Sequence, residues 1–123
     1  MSDETRERDI YLAKAMGWRY IAERNLLVGP DGWLYAAETI RTPEAELWAV
    51  AGPEFHKSED AKADLLRWLA ADEARWRAFE YEIIDLWEPL DSSESWSRFL
   101  VTLTPAQVAE AAEKALRGME RSI

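Results

Sequence analysis

Two glycine-containing stretches near the N-terminus constrain the fold of this chain more than any other part of the sequence. Gly17 directly follows a segment, residues 3–16, whose apolar residues recur at helical spacing. It is therefore placed to end a helix in the left-handed conformation that glycine adopts without steric cost. Residues 29–32 read Gly-Pro-Asp-Gly, and proline and glycine supply the dihedral angles of a tight turn. The sequence therefore predicts a helix, a corner and a β-hairpin in this region.

The segments that follow Gly17 and flank the turn have the residue pattern of short β-strands. Residues 18–22 alternate, with Trp18 and Tyr20 on one face, as in a half-buried strand. Residues 26–28 and 33–35 are apolar or aromatic and lie on either side of the Gly-Pro-Asp-Gly turn. We therefore expect one strand followed by a hairpin.

Further along the chain, capping residues predict where three more helices begin. Thr42 precedes a proline, and the apolar residues after it could continue a helix or form a short strand. Ser58 is placed to cap a second, amphipathic helix. Thr104 and Gln107 form a capping box for a final helix, which we expect Gly118 to end.

Residues 78–87 and 96–103 alternate in a way that predicts two further strands. The alternate apolar positions are Phe79, Tyr81 and Ile83 in the first segment, and Phe99, Val101 and Leu103 in the second. We expect these strands to pair antiparallel across a polar loop at residues 91–95. A competing interpretation extends the preceding helix through residues 74–76.

The composition is that of a folded, acidic protein without cysteine. Hydrophobic residues make up 48% of the 123 residues, and seven tryptophans offer large buried areas, which argues against disorder. Without cysteine there is no disulfide and no cysteine-ligated metal centre. No apolar segment reaches the roughly 20 residues of a membrane span, and we expect a cytoplasmic protein. The predicted fold is a single α+β domain over residues 1–123, with a small antiparallel β-sheet packed between α-helices as an αβα sandwich.

Few residues suggest catalysis or cofactor binding. His56 is the only histidine, and a lone histidine without cysteine is a weak sign of a zinc site or a catalytic triad. The Gly-Pro-Asp-Gly turn lacks the lysine of a phosphate-binding loop. Glu80 and Glu82 would lie about 6.6 Å apart on a strand, near the separation in inverting glycosidases, but nothing nearby indicates a dry cleft. We therefore expect no enzyme, no metal and no cofactor.

Negative charge is concentrated between residues 72 and 94. This segment has eight acidic residues and two arginines, a net charge of −6 out of −9 for the whole chain. It is either a solvated surface or a patch that binds a basic groove on a partner protein. In the second interpretation, alternate carboxylates on a strand form a line of negative charge, with exposed tryptophans as anchors. The candidate partner-binding residues are Glu80, Glu82, Asp85, Glu88, Asp91, Trp87 and Trp96.

Short motifs over residues 8–118 resemble the phage ABA sandwich domain family, small proteins of bacteriophages and prophages. The motifs are Met16-Gly17-Trp18, Pro53-x-Phe55-x-x-Ser58-x-Asp60-Ala61, and Phe99-x-Val101-x-Leu103-Thr104 followed by an alanine-rich segment. The resemblance implies a sheet between helices. It implies no particular activity and no site residue.

Three functional hypotheses remain open from the sequence, and an enzyme ranks last because no nucleophile, metal set or base stands out. In the first, the chain is a phage accessory protein, an anti-CRISPR or other anti-defence protein, that inhibits a host protein through its acidic surface. Nucleic acid and anionic membranes are poor direct partners at this net charge, and a homo-oligomer is possible. In the alternative, the chain binds a small ligand such as a nucleotide signal. The arginines that could then hold phosphates are Arg19, Arg24, Arg67, Arg75, Arg77 and Arg98.

Overall fold

Six helices and three strands make up the part of the chain that the structure describes. The computed structural model describes residues 3–32, 34–36, 43–87 and 96–121, and of residues 3, 34–36, 50, 85–87, 96 and 97 it describes the backbone alone. The elements are α1 (Asp3–Ala15), β1 (Arg19–Ile21), β2 (Leu26–Val28), β3 (Leu34–Ala36), α2 (Glu44–Ala51), α3 (Glu59–Ala70), α4 (Glu73–Trp87), α5 (Trp96–Thr102) and α6 (Pro105–Arg121). The protein is thus of the α+β class and mostly helical.

The chain divides into two units, Met1–Glu54 and Phe55–Ile123. The first unit contains the sheet, in which β2 lies between β1 and β3 and pairs antiparallel with both. Helix α2 packs against β2 and β3. The buried apolar residues of this unit are Leu12, Ala13, Leu27, Val28, Leu47 and Trp48.

The predicted corner at Gly17 is confirmed. Gly17 has a φ of +107°, and its N–H donates to the Lys14 carbonyl at 3.1 Å. The Trp18 N–H donates to the Ala13 carbonyl at 3.0 Å. These two bonds are the pair that defines a Schellman motif, which satisfies the last carbonyl groups of a helix and turns the chain. Helix α1 therefore ends where the glycine allows a left-handed residue.

Replacing Gly17 with alanine is expected to lower the free energy of unfolding by about 1 kcal/mol, because a side chain is strained at this positive φ. A Cβ here would lie 3.4 Å from the Pro30 Cβ, an ordinary van der Waals distance, so the expected loss comes from the backbone conformation. Urea denaturation followed by circular dichroism measures the change. Gly118 is the matched control: it is helical and nothing lies within 4 Å of a Cβ placed on it. Gly118→Ala should stabilise by up to about 1 kcal/mol. The same sign for both variants would contradict this account.

Both hairpin turns owe their shape to residues that tolerate positive φ. The predicted turn at residues 29–32 is confirmed: the Gly32 N–H donates to the Gly29 carbonyl at 3.0 Å, and Gly32 has a φ of +87°. Between β1 and β2, Asn25 takes a φ of +50°, and its side-chain oxygen accepts a 3.3 Å hydrogen bond from the Tyr20 hydroxyl. Asparagine tolerates this conformation better than most residues. The strand and hairpin expected in residues 18–35 are thus present.

After the sheet the chain forms helix α2, which settles the choice between helix and strand left open by the sequence. Pro43 stands directly before the helix, and its carbonyl accepts the Leu47 N–H at 3.0 Å. The predicted cap residue Thr42 lies outside the described residues. At the other end, a Cβ on Gly52 would lie only 2.5 Å from the Trp48 carbonyl oxygen. Glycine is therefore needed at position 52, because any side chain would clash with the Trp48 carbonyl oxygen.

In the second unit, helices α3, α4 and α6 pack against one another. The predicted caps are confirmed: the Ser58 hydroxyl accepts the Ala61 N–H at 3.1 Å, and Thr104 and Gln107 form the reciprocal bonds of a capping box at 3.1 and 2.9 Å. The buried apolar residues are Phe55, Leu65, Leu69, Phe79, Ile83, Phe99, Leu103, Val108, Ala109, Ala111, Ala112, Ala115 and Leu116.

The prediction of a strand over residues 78–87 is wrong, because these residues belong to α4. Asp72 begins the helix: its side chain accepts the Arg75 N–H at 3.0 Å. Phe79 and Ile83 are fully buried, whereas Tyr81 between them is 76% exposed. A separation of four residues fits one face of a helix as well as one face of a strand. Tyr81 distinguishes the two, and its exposure fits only the helix.

The prediction of a strand over residues 96–103 is wrong for the same reason. Residues 96–102 form α5, in which Phe99 is buried and Val101 is 73% exposed. The predicted connecting loop at residues 91–95 lies outside the described residues. Gly118 does not end the last helix either, since α6 continues to Arg121. A helical glycine costs about 1 kcal/mol relative to alanine, which does not end a helix when good helix formers follow it.

Candidate functional site

The predicted line of alternating carboxylates does not exist in the helical geometry. Successive residues of an α-helix are about 100° apart around its axis, so Glu80 and Glu82 lie on nearly opposite flanks of α4. Both residues are half-buried. Asp85 and Trp87 lie in α4, and Trp96 is the first residue of α5. The structure describes only the backbone of these three residues. Glu88 and Asp91 lie outside it altogether.

The charges on α4 are unevenly paired. Arg77 donates to Glu73 at 2.7 Å, one turn earlier on the exposed surface of the helix. Arg75 lies over the Trp68 ring, with its Cζ 3.9 Å from the ring centroid, and donates to the Trp68 carbonyl at 2.8 Å. By contrast, neither Glu80 nor Glu82 forms an ion pair or hydrogen bond through its carboxylate with another described residue. Within the described part of the chain, helix α4 therefore carries negative charge without an ion-pair partner at these two positions.

A groove of about 230 Å³ lies between α4 and α6, on the flank of α4 that carries Glu82. It is lined by Ala78, Tyr81 and Glu82 from α4, and by Lys114, Gly118 and Met119 from α6, among others. We call it the α4–α6 groove. Ala78, Ala115 and Gly118 leave the groove open because they have a methyl group or no side chain at all. The mostly exposed ring of Tyr81 lines it as well.

The two charged residues of the α4–α6 groove differ in their contacts. The Lys114 ammonium pairs with Glu110 at 3.3 Å, one turn earlier on α6. Glu82 has no such partner among the described residues. The groove lining thus contains one ammonium group, which pairs with Glu110, and one carboxylate without a partner among the described residues. Its other walls are apolar side chains and an exposed aromatic ring.

Sequence reasoning missed Tyr81 and Gly118 as candidate site residues. A helical interpretation of residues 73–87 would have separated Tyr81 from the stripe formed by Phe79 and Ile83, but no local signal shows that Tyr81 is exposed. Gly118 was missed because the sequence analysis expected it to end the last helix, whereas α6 continues past it. The groove itself requires knowing that α4 and α6 are neighbours.

The described residues offer no metal cluster and no transmembrane helix. Within residues 3–32, 34–36, 43–87 and 96–121, no three histidine, aspartate or glutamate side chains converge as metal ligands would. None of the helices in that part of the chain has the length and apolar content to span a membrane. No protein-family model, curated protein or solved structure matches the chain.

Proposed function

We propose that this protein is a phage-encoded accessory protein that binds and inhibits a host protein with a basic surface, such as a nucleic-acid-handling defence effector. The proposal rests mainly on the charge of α4, where Glu80 and Glu82 have no ion-pair partner among the described residues and flank the exposed Tyr81 in the sequence. Unneutralised carboxylates next to an exposed aromatic side chain complement a basic, arginine-rich surface. The protein acts by occupying that surface, not by catalysis.

The proposed interface extends from α4 into the acidic segment that follows it. Its members in this proposal are Glu80, Glu82, Asp85, Glu88 and Asp91, with Trp87 and Trp96 as aromatic anchors. Exposed ion pairs contribute about 0–1 kcal/mol each, so several must act together with an aromatic contact to give a stable complex. The net charge of −6 over residues 72–94 supports such a combined effect.

We further propose that the protein acts in the host bacterial cytoplasm and that it is a relative of the phage ABA sandwich domain family, with its sheet between helices. The motifs around Gly17 and Ser58 support this relationship. The motif that begins at Phe99 does not, because it resembles the final strand of the family and lies in helix α5 here. The alternative, capture of a nucleotide-like ligand, has less support because Arg67, Arg75 and Arg77 are already engaged by Asp64, Trp68 and Glu73.

The test is a charge reversal on α4. Glu80→Lys, Glu82→Lys and Asp85→Lys combined should abolish binding to the host protein that the wild type captures, measured by calorimetric titration of the purified pair. Raising the salt from about 50 mM to about 300 mM should slow association of the wild type, because long-range attraction is screened.

The matched control reverses three exposed acidic residues of the first unit, Glu4, Glu7 and Glu23. This variant has the same net charge as the α4 variant and should keep wild-type affinity. Equal losses of affinity in the two variants would show that net charge alone accounts for the effect. Unchanged affinity in the α4 variant would overturn the proposed interface.

A further inference from the structure

The α4–α6 groove has the size of a site for one side chain. Its volume of about 230 Å³ is below the roughly 300–1,000 Å³ of pockets that hold small-molecule ligands. Ala78 and Gly118 keep it open because they place almost no side-chain atoms in it. A Cβ on Gly118 would meet nothing within 4 Å, so glycine is not required there by the packing of the helices. A larger residue at this position would instead fill the groove.

The side chains around the groove favour a cation with an apolar stem. An apolar occupant would remove water from the Glu82 carboxylate, which has no described partner, at a substantial free-energy cost. A cationic occupant would instead pair with it. Tyr81 is 76% exposed, so its ring face is available to a positively charged group, which aromatic faces attract. Met119 and Ala78 offer contact to methylene groups.

Among cations, a guanidinium group fits this arrangement better than an ammonium group. Guanidinium is planar, so it can stack on the ring of Tyr81 while donating two parallel hydrogen bonds to the Glu82 carboxylate. The same chain already uses this stacking mode, with Arg75 over the ring of Trp68 at 3.9 Å. The ammonium group of Lys114 is held by Glu110 and does not neutralise Glu82.

We propose that the α4–α6 groove anchors an arginine side chain of a basic partner protein. The inference rests on the proposed function, since it names the contact at which the acidic surface would hold its partner. The guanidinium group stacks on Tyr81 and pairs with Glu82, while its methylene stem lies against Ala78, Gly118 and Met119. Arginine is thereby distinguished from lysine.

The test uses a defined probe in place of the host protein. A blocked peptide of alternating glycine and arginine is titrated into ¹⁵N-labelled protein and followed by amide chemical shifts, with the glycine–lysine peptide as comparison. We expect shifts centred on Ala78, Tyr81, Gly118 and Met119. We expect the arginine peptide to bind about fivefold more tightly than the lysine peptide, in line with one stacking contact.

Variants of the groove make the test specific. Tyr81→Ala and Glu82→Gln should each weaken peptide binding about fivefold, and Gly118→Leu should remove the shifts in the groove. Tyr81→Phe keeps the ring and should bind like the wild type. Glu23→Gln, the same change at an exposed residue outside the proposed interface, is the matched control and should have no effect.

Three results would overturn the inference: equal affinity for the two peptides, shifts spread over all acidic residues, or equal losses in Glu23→Gln and Glu82→Gln. Because the probe is a peptide, these results leave the charge-reversal test against the host protein unaffected. A groove that fails with the peptide while the α4 reversal abolishes host binding would therefore refute this inference alone. The opposite pair of results would refute the proposed function.

Discussion

Replacing Phe79 with alanine is expected to lower the free energy of unfolding by about 3–5 kcal/mol, the range for a large aromatic residue removed from a core. Phe79 is fully buried, and its ring centroid lies 5.5 Å from that of Trp76. The surrounding helices relax only partly around such a cavity. Tyr81→Ala, two residues further on, should change stability by less than about 0.5 kcal/mol, since the side chain is mostly exposed. Urea denaturation of both variants measures the difference.

This pair of variants tests the conformation of residues 73–87 directly. In a strand, Phe79 and Tyr81 would share one face and lose similar amounts of stability. In a helix they lie on different sides, so the losses differ by several kcal/mol. Comparable losses would contradict the helical geometry and with it the α4–α6 groove. Equal urea dependence of the unfolding free energy in both variants would show that the same folded unit is being compared.

The beginning of the fold could be predicted from sequence because its signals are local. At Gly17 and Gly32 the backbone takes positive φ values, and this requirement selects glycine whatever packs around it. The caps at Ser58 and Thr104 are equally local, since each bonds an N–H only three residues away. Such features depend on a few neighbouring residues and not on distant parts of the chain.

The strands expected in the second half could not be excluded by pattern alone. Phe79 and Ile83 are four residues apart, as are Phe99 and Leu103, and this spacing is common to both periodicities. The intervening Tyr81 and Val101 are hydrophobic enough to suggest a strand face, yet both are exposed. Their exposure is a result of which helices pack together, so it is not encoded in the local pattern.

Only part of the candidate site could be predicted from the sequence. The excess of negative charge at Glu80 and Glu82 is visible in the sequence, and the structure places both residues on α4. The α4–α6 groove could not be predicted from the sequence, because it is formed by residues of α4 and α6 that are more than 30 positions apart. It depends on the packing of α4 against α6, which brings Ala78 and Gly118 to the same groove.

Lys62 is a second feature that sequence patterns did not reveal. A lysine near the start of an amphipathic helix is expected to face solvent, yet this residue is only 7% exposed. Its ammonium group donates to the Leu103 carbonyl at 2.7 Å and to the Val101 carbonyl at 3.4 Å, and it pairs with Glu59 at 3.2 Å. It therefore supplies donors to carbonyl groups at the C-terminal end of α5, where positive charge is also favoured by the helix dipole.

Replacing Lys62 with methionine is expected to lower the free energy of unfolding by about 2–3 kcal/mol, since hydrogen bonds from a charged donor are lost and buried acceptors are left without it. Methionine keeps much of the aliphatic stem, so the change reports mainly on the ammonium group. The matched control is Lys114→Met, the same substitution at a side chain that is 60% exposed and paired with Glu110; it should cost less than about 0.5 kcal/mol. Amide hydrogen exchange should also increase in α5 for Lys62→Met and stay unchanged for the control. Similar stability in the two variants, with unchanged exchange in α5, would mean that α5 is held by the burial of Phe99 and Leu103 and not by the buried lysine.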